Sequence, residues 1–71
     1  MRDYAAVFEQ TSTGWSAYVP DLPGLGVTGP TSETTEQLLR EGIAFHIDGI
    51  IADGDPIPEA TTRVIHMPVS A

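Results

Sequence analysis

Along the chain the apolar residues change their spacing once, near residue 30, and that change divides it into a strand-forming half and a helix-forming half. Tyr4 to Gln10 is rich in β-formers and small apolar residues. The polar stretch Thr11-Ser12-Thr13-Gly14 has the composition of a hairpin connection, so Trp15 to Val19 is predicted to return antiparallel. Leu25 to Thr28 can supply a third short strand. From Thr31 onward the spacing turns helical: Leu39, Ile43, Ile47 and Ile50 gather within about 80° of a helical wheel, a stripe suited to covering one face of a sheet. A hydroxyl at Thr31 or Ser32 can cap the helix start, with Glu33 and Glu36 favourably placed near its positive end. Asp53-Gly54 followed by Pro56 marks its close. Thr62 to Met67 alternates again and predicts a last strand, stopped by Pro68. The predicted order is β-β-β-α-β: an α+β, two-layer domain with one helix packed on a mixed sheet.

Two apolar groups exceed what that architecture needs. Leu38, Phe45 and Ala52 fall on a second sector of the helix, near the small residues Gly42 and Gly49, and predict contact with another chain. One helix covers one face of a sheet, yet Tyr4, Ala6 and Phe8 on one side of the first strand and Ala5 and Val7 on the other are all apolar or amphipathic. Self-association follows as an expectation, because a domain of 71 residues buries only about 60% of its unfolded-chain surface and this one has no cysteine to staple it.

Between the two halves lies Val19 to Thr31, with Pro20, Pro23 and Pro30 and with Gly24, Gly26 and Gly29. The prolines fix φ and remove ladder donors, and the glycines are predicted to supply positive φ where the chain leaves the sheet and enters the helix. Gly24-x-Gly26-x-x-Gly29 also fits the spacing of a dinucleotide fingerprint. The flanking prolines stiffen that cradle, and the chain is too short for a dinucleotide-binding half with a substrate site, so no cofactor is expected.

Charge narrows the partners. A net charge of −7, no lysine, and only Arg2, Arg40 and Arg63 as fixed cations leave no basic footprint for nucleic acid. An acidic surface suits a basic protein instead. Glu36, Glu41 and Asp48 on the helix are the candidates for such a contact. Asp53, Asp55 and Glu59 lack the alternation of a calcium loop, and His46 and His66 without a thiolate are a poor zinc set, so no metal is expected. Ser12, Ser16, Ser32 and Ser70 form no nucleophile arrangement, and no catalytic residue is expected. The start has no signal-like apolar stretch and no run approaches a membrane span, which predicts a cytoplasmic location without membrane contact.

The run Tyr18-Val19-Pro20-Asp21-Leu22-Pro23-Gly24, followed by Gly29-Pro30-Thr31, a helix, and Gly54-Asp55-Pro56-Ile57-Pro58-Glu59, resembles the HicB family of antitoxins. The resemblance covers about Tyr4 to Ala60. It implies a truncated relative of the RNase H fold that binds a small basic mRNA-cleaving toxin of the HicA type. It implies structural roles for Pro20, Pro23, Gly24, Gly29, Thr31 and Pro58. An inherited nuclease activity is not expected, because RNase H chemistry needs strand carboxylates for two metal ions and Tyr4 to Phe8 carries none. Many members add a C-terminal DNA-binding module; with the sequence given ending at Ala71, direct repression of its own promoter is not expected. The other reading the residues allow is a homo-oligomeric interaction or regulatory module of the same fold with no toxin.

Overall fold

The computed structural model describes residues 2–71. Three short strands, β1 (Val7–Gln10), β2 (Trp15–Tyr18) and β3 (Gly26–Gly29), form a meander in the order β1-β2-β3, and one helix, α1 (Ser32–Ala52), follows. Both pairings are antiparallel. Phe8 stands opposite Ala17, and Ala17 opposite Val27, so these three share a face; Val7, Tyr18 and Gly26 share the other. The 11–14 connection closes through Thr11 N–H donating to the Gly14 carbonyl at 2.8 Å, while the Thr11 hydroxyl accepts from the Gly14 N–H at 3.1 Å.

Helix α1 packs on β3 and β2. Leu39 is buried and Ile43 and Ile47 are partly buried against Ala17, Val19 and Leu22, as the periodicity predicted, whereas Ile50, the fourth residue of that stripe, is half-buried outside this cluster. Its first turn is held from Thr31, whose extended backbone and hydroxyl acceptance from Thr34 N–H at 3.1 Å make it the N-cap. Of the two acidic residues expected there, Glu33 lies in the first turn. The helix ends in a Schellman arrangement: Gly54, at φ +74°, donates to Ile51 and Asp55 donates to Ile50.

Two expectations are corrected. The sheet is antiparallel throughout, not mixed, and the predicted strand over Thr62 to Met67 does not form: residues 55–71 enter no ladder, and 61–71 are exposed throughout. Alternation supplies faces, but a strand exists only where its N–H and C=O groups meet a neighbouring edge. Here the chain is led past the sheet and outward. The molecule measures 48 × 26 × 19 Å with a radius of gyration of 13.9 Å, against about 11 Å for a compact chain of this length.

Candidate partner-binding surfaces

The bend that follows β2 is closed around a buried side chain. Leu22 is fully buried, and it is held there by two turns in which Leu22 N–H donates to Val19 and Leu25 N–H donates to Leu22. Pro20 and Pro23 fix the chain on either side of it. Only Gly24 of the three bend glycines adopts positive φ, at +86°; Gly26 and Gly29 are ordinary β3 residues. Gly29 is small for a different reason. A Cβ there would sit 2.5 Å from the Thr35 Oγ1, and Thr35, fully buried, donates that hydroxyl to the Thr31 carbonyl at 2.7 Å. The Gly29, Thr31 and Thr35 trio therefore sets how closely the helix start approaches β3. These are positioning features with no open polar group: among the described residues no buried side-chain nitrogen or oxygen lacks a partner.

Asp21, inside the same bend, does something its sequence position did not reveal. One carboxylate oxygen accepts the N–H groups of Thr61 and Thr62, each at 3.0 Å, and the other accepts both hydroxyls, at 3.1 and 2.8 Å. The Thr62 N–H and hydroxyl, then the Thr61 hydroxyl and N–H, hold its pKa below the usual carboxylate value against a smaller opposing effect of desolvation. Nearby, the Tyr4 hydroxyl donates to the Pro58 carbonyl at 2.6 Å. Together these bonds tether the chain after α1 to the end of the sheet where β1 begins and β2 ends. Forty residues separate the partners, and an Asp between two prolines carries no signal of so distant a latch.

On the helix, Phe45 is 82% exposed and Leu38 39%, and Ala52 is exposed. With 100° between successive residues, Glu41 and Asp48 share their side, whereas Glu36 lies round the opposite side. Glu36 accepts from the Arg40 guanidinium at 2.8 Å, and Glu41 accepts from Gln37 at 2.9 Å. The structure thus groups Leu38, Phe45 and Ala52 with Glu41 and Asp48, and separates Glu36 from them. Gly42, expected beside that sector, faces the sheet, where a Cβ would lie 3.1 Å from Leu25.

A second opening lies beside β1. Because α1 covers β2 and β3, the helix-facing side chains of the first strand are left at the margin, and Tyr4, Ala6 and Phe8 with Glu36, Leu39, Arg40 and Ile43 line a groove of about 260 Å³. Sequence reasoning missed it, since which strands a helix covers is a tertiary outcome. No group of three or more His, Cys, Asp or Glu among the described residues is placed to hold a metal. No helix among them is long and apolar enough to cross a membrane.

Residues 4–68 match the family model described as a HicB-like antitoxin of a bacterial toxin-antitoxin system. The chain belongs to that family. The match takes in the sheet, the bend, the helix and most of the extended segment beyond it, so the HicB-like domain includes the residues that Asp21 tethers. A Haemophilus phage HP1 (strain HP1c1) protein, described as an uncharacterized 14.9 kDa protein in the rep-hol intergenic region, is 32% identical over 57 residues. That alignment covers 80% of this chain and 43% of the phage protein, so the chain spans less than half of that relative's length.

Proposed function

We propose that this HicB-like chain is an antitoxin that binds and masks a small basic mRNA-cleaving toxin of the HicA type, and that it acts as a homodimer or higher oligomer in the cytoplasm. The observation that carries the reading is membership of an antitoxin family over nearly the whole chain. The three strands and one helix correspond, in this reading, to a reduced RNase H-like core used for binding rather than catalysis. Between Thr31 and Ala60 Arg40 is the only Lys or Arg beside seven carboxylates, which gives a basic partner an attractive field. Phe45, Leu38 and Ala52, flanked by Glu41 and Asp48, offer the apolar contact area. Fully burying Phe45 and Leu38 contributes about 1.5–3 kcal/mol each.

Co-expression with the cognate toxin tests this directly. Rescue of growth and a co-purifying complex are expected, with complex formation weakening as salt rises. Reversing Glu36, Glu41 and Asp48 to Lys should lower the association rate more than it raises dissociation, because exposed charges act mainly on encounter. Failure to rescue, with no small basic protein recovered from the native host, sinks the reading. The second reading, an oligomeric module without a toxin, is favoured by one feature: Glu36 and Glu41 already have partners within the helix, Arg40 and Gln37. An adjacent gene for a short basic protein decides between the two.

A further inference from the structure

One chain carries two unfilled features of matching kind. The first is the outer edge of β1 with its lead-in, Tyr4 to Gln10, seven residues whose helix-facing side chains border the 260 Å³ groove under α1. The second is the segment Arg63 to Val69, also seven residues, extended and unpaired, with Val64, Ile65, Met67 and Val69 at 52%, 51%, 73% and 82% exposure. Ile65, Met67 and Val69 alternate onto one face of that segment. At about 3.3 Å per residue both stretches are about 23 Å long.

We infer that Arg63 to Val69 of one copy adds as a strand to the free β1 edge of a second copy, placing Ile65 and Met67 in the groove beside Phe8, Leu39 and Ile43, with the second copy returning its own arm. The inference rests on the self-association reading above and says how it is built. Three observations select a second copy as the occupant. Thr61 and Thr62 are clamped to Asp21, so the arm leaves its own sheet at a fixed point and runs clear of it. The arm lacks the acidity of the body: all ten Asp and Glu side chains lie between Asp3 and Glu59, whereas residues 60–71 carry Arg63 and His66 and no acidic side chain. Reciprocal exchange also covers enough surface, since two such arms and the edges they meet would bury on the order of 1,500 Å², inside the range of stable interfaces. Pro68 is compatible with the outermost strand of the enlarged sheet, where its missing N–H faces solvent. A twofold arrangement satisfies both arms and both β1 edges at once, so the exchange is closed at two copies. It also leaves the Phe45 side of the helix free for a different protein.

Two measurements test it. In mixed dimers of isotope-labelled and unlabelled protein, cross-copy nuclear Overhauser effects are expected from the Ile65 and Met67 methyls to Phe8 and Ile43. In sedimentation, the full-length Ile65→Asp, Met67→Asp double variant is expected to raise the dimer dissociation constant about ten-fold or more with helical circular dichroism retained. Overhauser contacts found only within one copy overturn the exchange, since the arm then closes on its own β1. A dimer unaffected by the double variant and without cross-copy contacts overturns the exchange while leaving self-association intact. A wild-type protein that stays monomeric at every concentration overturns both. If the double variant fails to fold, the Overhauser experiment on the unsubstituted protein still decides.

Discussion

Residues 7–52 and residues 55–71 use backbone in opposite ways. In the first region nearly every segment answers its own hydrogen bonds, through two antiparallel ladders, a capped helix and a bend closed by short turns around buried Leu22. In the second, the chain is extended without a ladder and is held by one tyrosine hydroxyl and one aspartate at Pro58, Thr61 and Thr62. Both regions contain alternating apolar residues. What separates them is whether a neighbour is present to receive the pattern: the HicB-like domain carries an unreceived pattern after Thr62 and an open strand edge at β1, and the two do not meet within one copy.

The comparison breaks most severely at Leu22. Leu22→Ala removes the fully buried anchor of the bend and is expected to cost about 2–5 kcal/mol, read as a fall in the midpoint of chemical denaturation. If stability is unchanged, Leu22 does not anchor the bend. Gly29→Ala comes next, at about 1–3 kcal/mol, because the new methyl meets the Thr35 hydroxyl and pushes the helix start away from β3. Gly49→Ala should act in the other direction. Nothing lies within 4 Å of a Cβ at that helical position, so a gain of about 0.5–1 kcal/mol in thermal stability is expected. A loss there would mean that Gly49 is covered by another chain.

The smallest effect on global stability is expected from Asp21→Asn, whose carbonyl oxygen can still accept the Thr61 and Thr62 N–H groups but without the charge that strengthens those bonds, while its NH2 must take the hydroxyls as acceptors. Amide exchange at Thr61 and Thr62 should speed up while the sheet and helix amides keep their protection. The pH dependence has a definite sign. Asp21 has its pKa lowered in the folded protein, so its stabilising contribution is complete above the ordinary carboxylate value of about 3.9 and is lost as pH falls through the lowered one. Amide shifts of Thr61 and Thr62 followed through that acid range report it. The same shifts in the Asp21→Asn protein should lack that transition.

Much of the ordered half was legible because its signals are local. The helix limits could be read from Thr31 and Asp53-Gly54, since caps are chemistry between residues at most a turn apart. The stripe of Leu39, Ile43 and Ile47 followed from helical geometry, and the hairpin from Thr11 to Gly14 followed from composition. The bend motif was legible as a motif, though its glycines were assigned one reason when they have several: Gly24 for its φ, Gly29 for the space that Thr35 occupies.

What the sequence alone determined is therefore the order of three strands, bend and helix, the limits of the helix, which helix stripe turns inward, and the family to which the chain belongs. Only the tertiary structure decided that α1 lies over β2 and β3, leaving the groove at β1, and that Asp21 clamps Thr61 and Thr62 forty residues away. It also decided that Thr62 to Met67 is no strand within this chain. The physical reason is the same in each case. Propensity and periodicity are properties of a segment, whereas a sheet edge, a latch or a groove belongs to two segments, and nothing in either one alone states where the other will be.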